Sequence, residues 1–181
     1  MNFVEPIRDK QKVRDIQEYL KQTNPRDYIM FITGVYTGLR ISDILKLKVK
    51  DVKNKERIYL REKKTSKQNI IELNKLLIKE YEWFCINLED YEYLIKSREG
   101  INKPLSRVRA YEIIRQVGKD FEVENLGTHT MRKTFGYHYY KKTKDIGTLM
   151  NMFNHSAPSI TLKYIGISQD TMNKARREFN I

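Results

Sequence analysis

Leu126-Gly127-Thr128-His129-Thr130-Met131-Arg132-Lys133-Thr134-Phe135 is the stretch on which the reading of this chain turns. His129 and Arg132 stand three residues apart, which puts them on one face if the segment is helical. Taken alone, such a pair is common by chance and usually structural. Working outward, His155 lies in Phe153-Asn154-His155-Ser156-Ala157, and Tyr164 follows nine residues later in Leu162-Lys163-Tyr164-Ile165-Gly166. Far upstream, Arg40 sits in Thr37-Gly38-Leu39-Arg40-Ile41-Ser42-Asp43. Two guanidiniums offer planar forks that match phosphate oxygens and stay charged at any relevant pH. Two imidazoles can move protons or hydrogen-bond a phosphoryl group, and a phenol can attack. The set supplies what metal-free phosphodiester cleavage needs.

Composition agrees with a polyanionic partner. The chain has 181 residues, enough for one domain with a full core, and 35 Lys and Arg against 23 Asp and Glu give +12. Such a surplus favours nucleic acid through counterion release, although a merely basic soluble protein carries the same charge. Cys85 is the single cysteine, so no intrachain disulfide can form and a reducing compartment is expected. The stretch Met1-Asn2-Phe3-Val4-Glu5-Pro6 has no apolar signal core, and no run reaches transmembrane length. The expectation is a soluble, cytoplasmic protein with no membrane partner. Phosphate-loop, dinucleotide and zinc-protease motifs are missing from the sequence, so neither a cofactor nor a bound metal is expected. Glu89, Asp90 and Glu92 form the densest acidic cluster and read as a charged loop, while His138 reads as a packing residue.

Periodicity predicts a helix over 10–22, broken at Asn24-Pro25, with a second helix running from Pro25 to the Thr37-Gly38 break. A short helix is expected from Ser42 through Leu47. Residues 57–61 and 69–73 alternate as two strands joined by a polar turn into a hairpin. Asn74 is a plausible cap for a helix with Leu76, Leu77, Tyr81 and Phe84 inward, and an extended segment ends near Ser97. Ser106 can cap a helix bearing Val108, Tyr111, Ile114 and Val117, closed by Gly118. Further helices are expected at 129–142, 145–153 and 169–179. In the last, Ser168 is the cap, and Met172, Ala175 and Phe179 form a stripe that must be buried, most simply on the protein's own core.

The residues quoted above, in this order and spacing, resemble the tyrosine recombinase (phage integrase) family over nearly the whole chain. The resemblance implies an α+β fold, mainly helical with a small antiparallel β-sheet, in which residues 1–181 form a single catalytic domain. The family's N-terminal core-binding domain would be absent from this chain. By the same resemblance Arg40 and Arg132 are the catalytic arginines, and Asp43 is a nearby supporting carboxylate. His129 and His155 act on the phosphoryl group, and Tyr164 is the nucleophile. The family also places a catalytic lysine on the hairpin turn, often in a Lys-Thr pair, which favours Lys64 over Lys63 and Lys67 as acid for the departing 5′ oxygen. One departure stands out: where the family usually has Leu-Gly-His-Ser, this chain has Phe153-Asn154-His155-Ser156. Asparagine is the side chain that best tolerates the left-handed backbone a glycine there implies.

The implied activity is site-specific recombination of double-stranded DNA through a 3′-phosphotyrosine, without metal or ATP. Self-association into a tetramer on paired sites, through the C-terminal segment, is implied as well. A DNA-binding regulator that keeps the fold without turnover is the competing class, but it would be expected to have lost at least one catalytic position. A relaxing or nicking topoisomerase would use the same site.

Overall fold

Local signals at Asn24 and Pro25 divide the first two helices. The computed structural model describes residues 4–61 and 68–180. Helix α1, Lys10–Thr23, is capped by the Asp9 side chain and buries Ile16 and Leu20. Helix α2, Pro25–Thr37, carries proline in its first turn, and the Asn24 side chain accepts from the Asp27 amide. Every residue of α2 from Asp27 to Val35 is buried, which makes it the central rod of the core. It stops at Gly38, in the left-handed region at φ 67°. A Cβ there would stand 2.5 Å from the Phe135 ring, so both backbone and packing demand glycine.

The next helix, α3, is shorter than expected: Ile41–Ile44 rather than Ser42 to Leu47. Leu47 instead pairs through its carbonyl with the Leu94 amide, tying the chain to the extended segment that leads to Ser97. Strands β1 (Arg57–Arg61) and β2 (Gln68–Glu72) form a two-stranded antiparallel sheet with Ile58 opposite Ile71. Helix α4, Lys75–Cys85, is capped by Asn74 as expected. Leu77 and Tyr81 face the core, but Leu76 is 39% exposed. Glu80 takes an inward place instead, paired with Lys21 at 2.7 Å. The extended segment near Ser97 forms isolated bridges, Lys48 with Tyr93 and Lys96 with Pro104.

Helix α5, Arg107–Asp120, runs past the expected stop at Gly118. Its buried face is Ala110, Ile113, Ile114 and Val117, whereas Val108 and Tyr111 point outward. Helices α6 (Thr130–Thr143), α7 (Ile146–Phe153), α8 (Pro158–Tyr164) and α9 (Ile167–Glu178) complete the chain. No helix was expected where α8 lies. Helix α9 begins after Gly166 with no side-chain cap, so Ser168 lies within it. None of its residues is buried, and Met172 and Phe179 are 47% and 71% exposed. The expected burial of that stripe on the protein's own core is therefore overturned.

The main core joins α1, α2, α4 and α5 and reaches α6 through Met131. A second cluster, Leu149, Phe153 and Ile165, gathers α7 to α9 around the outer side of α6 and includes the half-buried Tyr164 at its edge. Among the described residues no helix is long and apolar enough to cross a membrane.

Candidate active site

Arg40 stands at the start of α3, where its extended backbone (φ −71°, ψ 146°) turns out of the Gly38 break. It is exposed. Its carbonyl accepts from the Asp43 and Ile44 amides, so the main chain anchors the position while the guanidinium is left outward. Asp43 is the third residue of the same short helix, close enough to favour the charged form of Arg132.

Arg132 is the opposite case. It lies one turn into α6 and is only 6% exposed. One guanidinium nitrogen donates to the carbonyl of Gly38, and another donates to the carbonyl of Phe153 at 3.1 Å. The guanidinium carbon sits 4.0 Å from the centre of the Phe153 ring. Burial, reinforced by Arg40 and opposed by Tyr164 and Asp43, lowers its pKa to about 10, so it stays cationic near neutrality. The glycine break that frees Arg40 thus also supplies a carbonyl that aims Arg132.

Tyr164 ends α8 with its hydroxyl 3.3 Å from Nδ1 of His129. Burial raises the phenol's pKa, while Arg132 and then Arg40 pull the other way. The phenol is therefore protonated near neutral pH and needs a proton acceptor to become a nucleophile. His129, the residue preceding α6, is pushed down by burial first and then by Lys133, Arg132, Arg107 and Arg40. A neutral imidazole suits that acceptor.

His155 follows Asn154, which adopts the left-handed backbone expected of it at φ 54°, ψ 48°. Its Nδ1 lies 2.9 Å from the buried hydroxyl of Thr161, which holds the ring by that nitrogen. Burial, then Arg132 and Arg40, lowers its pKa too. The His155 and Tyr164 rings meet edge-on at 5.3 Å.

Arg40, Asp43, His129, Arg132, His155 and Tyr164 thus converge from α3, α6, the α7–α8 turn and α8. Lys64 lies outside the described residues. His138 is the packing residue expected, its Nε2 2.9 Å from the Ile7 carbonyl. Sequence reasoning missed the Gly38 and Phe153 carbonyls that hold Arg132, the Thr161 hydroxyl that holds His155, and Lys133, whose ammonium lies 5.0 Å from the centre of the Tyr164 ring. Thr161 stands six residues after His155. That spacing carries no signal until α8 folds back.

The sequence profile of the phage integrase family matches residues 8–170. The chain belongs to that family. It is 46% identical over 179 residues to a probable integrase/recombinase, YoeC, of Bacillus subtilis, and the match covers 99% of this chain and 98% of that protein. Tyrosine recombinase XerA of Thermococcus onnurineus is 24% identical, with 93% of this chain matched to 61% of that longer protein. Among solved structures, a XerA recombinase superposes at a TM-score of 0.74 and 19% identity, covering 99% of this chain and 66% of that one. The catalytic domain of bacteriophage HP1 integrase gives 0.65 at 16% identity over 97% of this chain and 95% of that one. These structural likenesses make the fold that of the tyrosine recombinase catalytic domain, mainly helical with one small antiparallel sheet.

Proposed function

We propose that this family member is a site-specific DNA recombinase that cuts and rejoins one strand through a 3′-phosphotyrosine on Tyr164. The observation that carries the reading is the Tyr164 hydroxyl held 3.3 Å from the His129 imidazole, with two arginines and a second imidazole turned to the same place. Tyr164 Oη attacks the scissile phosphorus as its proton passes to His129 Nδ1. The P–O5′ bond breaks, and the 5′ oxygen leaves as a hydroxyl with a proton from Lys64, the acid the family resemblance implies. Arg40, Arg132 and the free nitrogen of His155 stabilise charge on the non-bridging oxygens, where preorganised donors contribute most. Attack by a free 5′-hydroxyl on the phosphotyrosine reverses these steps and reseals a strand without ATP.

The duplex runs across the face shared by the site and α5, whose outward Arg107 bears on His129. Arg115 lies two turns further along that helix, adding positive charge for the phosphate backbone. Residues 1–181 act as one catalytic module, and its place of action is the cytoplasm. Relatives named in DNA complexes support DNA as the partner: a XerH site-specific recombinase bound to its palindromic substrate in a post-cleavage complex superposes at a TM-score of 0.72. The bare stripe on α9 is read as a contact for a second copy on paired sites. A regulator without turnover would have no need of an intact set from Arg40 to Tyr164.

The test is strand exchange. Purified protein is incubated with a library of supercoiled and linear duplexes in EDTA, without nucleotide, and rejoined junctions are sequenced. Recombined junctions at defined sites are expected. Sequence-independent binding with no cleaved or joined product would overturn the reading. For the α9 contact, Met172→Glu with Phe179→Glu should abolish higher-order complexes on paired sites in sedimentation, and unchanged assembly would remove that part.

A further inference from the structure

Residues 4–8 belong to no helix or strand, yet they are tied to the loop before α6, to α6 itself and to the first turn of α9. The Glu5 amide donates to the Asn125 carbonyl at 3.0 Å, and the Ile7 amide donates to the Thr134 hydroxyl at 2.9 Å on α6. The Val4 carbonyl accepts from Lys133 Nζ at 2.7 Å, the same ammonium that lies over the Tyr164 ring. At the other end, Arg8 Nε lies 3.0 and 3.1 Å from the two carboxylate oxygens of Asp170, and a second nitrogen lies 2.9 Å from one of them. Glu5 holds the remaining arm of the guanidinium at 2.6 Å.

Asp170 sits in the first turn of α9, and its amide bonds the Gly166 carbonyl. Gly166 is in the left-handed region at φ 85°, and a Cβ there would stand 2.8 Å from an Arg8 nitrogen. Only Ile165 separates this joint from Tyr164. Ile165 is fully buried, with its amide bonded to the Thr161 carbonyl. The segment carrying the phenol is therefore gripped on both sides, and the outer grip is an ion pair 162 residues apart in sequence.

We propose that Arg8 is a positioning residue for Tyr164: clamped on Asp170, it fixes the Gly166 joint and so the place of the phenol against His129. The proposal rests on Tyr164 being the nucleophile. A misplaced nucleophile loses rate steeply, while the duplex is held by other cations and binds as before. Arg8 is also partly exposed, so neutralising it leaves the core intact.

The experiment uses the full chain with Arg8→Gln, Asp170→Ala and the double variant. Hydrogen exchange of the amides from 165 to 170 reads the joint directly. Single-turnover adduct formation on a nicked suicide duplex, at saturating DNA, reads the chemistry. Each single variant should speed exchange in that segment and slow adduct formation by about tenfold or more with DNA affinity unchanged. The double variant should be no worse than Arg8→Gln alone, because the Arg8–Asp170 pair is already lost in that single. Arg8→Lys should restore part of both losses. Exchange unchanged from the wild type, additive losses in the double variant, or a rate loss matched by an affinity loss would each overturn the proposal. A wild-type chain that forms no adduct on a verified site would instead remove Tyr164 as nucleophile, and the exchange arm would still decide whether Arg8 sets the joint.

Discussion

Replacing Arg132 with methionine separates the chemistry of the site from the stability of the fold. Burial first, with Arg40 adding to it, holds the guanidinium well below its ordinary value, at about 10, which is roughly 3 kcal/mol set against the charged form in the folded chain. Methionine of similar length removes that penalty. It also leaves the carbonyls of Gly38 and Phe153 without their donors. Each such loss costs about 1–3 kcal/mol when the acceptor is buried, so about 4 kcal/mol for the two. The terms nearly offset, and a net loss near 1 kcal/mol lowers Tm by about 2–4 °C in a chain of this size. Cleavage should fall about a hundredfold or more, the typical effect of deleting one preorganised oxyanion donor. Arg40→Ala is the control: exposed at the start of α3, it should leave Tm within about 2 °C and lose cleavage on the same scale. Differential scanning calorimetry and single-turnover cleavage on a nicked duplex supply the two readouts. A Tm loss beyond about 10 °C in Arg132→Met, or cleavage within threefold of wild type in either variant, would refute the balance described.

Thr161→Val removes the hydroxyl on His155 Nδ1 without changing shape, and should cost about tenfold in cleavage with DNA affinity intact, measured by single-turnover rates against equilibrium binding. Folding stability should fall as pH drops below about 6.5, where free imidazole takes up a proton. His129, His138 and His155 all have folded pKa values lowered first by burial, so the unfolded chain binds more protons there and stability returns as pH rises. Thermal melts from acid to neutral pH check this, and a flat profile would contradict imidazoles held neutral by partial burial and neighbouring cations. Cleavage should persist in excess EDTA, because the charge stabilisation is read as coming from Arg40 and Arg132; rates with and without chelator decide it.

The helices announced by local chemistry were readable. Asn24-Pro25, Gly38, Asn74 and Ser106 each act within a turn of themselves, and each marks the boundary it promised. Helix α8 escaped because seven residues are too few to display a period and Ala157 offers no capping side chain. On α5 the apolar residues occupy two faces, so Val108 and Tyr111 competed with Ala110 and Ile113 for the core, and only packing decides between them. The α9 stripe was legible as a stripe but not for what covers it. In the site, the reactive side chains carried a signal through their type and spacing. Their holders did not: the Gly38 and Phe153 carbonyls are main chain, and Thr161 meets His155 only after α8 folds back. The grip of Arg8 on Asp170 joins the two ends of the sequence, where no spacing rule reaches.

Mapping of a covalent adduct tests the central claim most directly. The chain is incubated with a nicked suicide duplex carrying its recombination site, denatured and digested, and the cross-linked peptide is sequenced by mass spectrometry. The account predicts a 3′-phosphate esterified to Tyr164, on the peptide containing Leu162-Lys163-Tyr164-Ile165-Gly166, and no adduct in Tyr164→Phe. An adduct on any other residue, a 5′-phosphate linkage, or an adduct that survives Tyr164→Phe would contradict it.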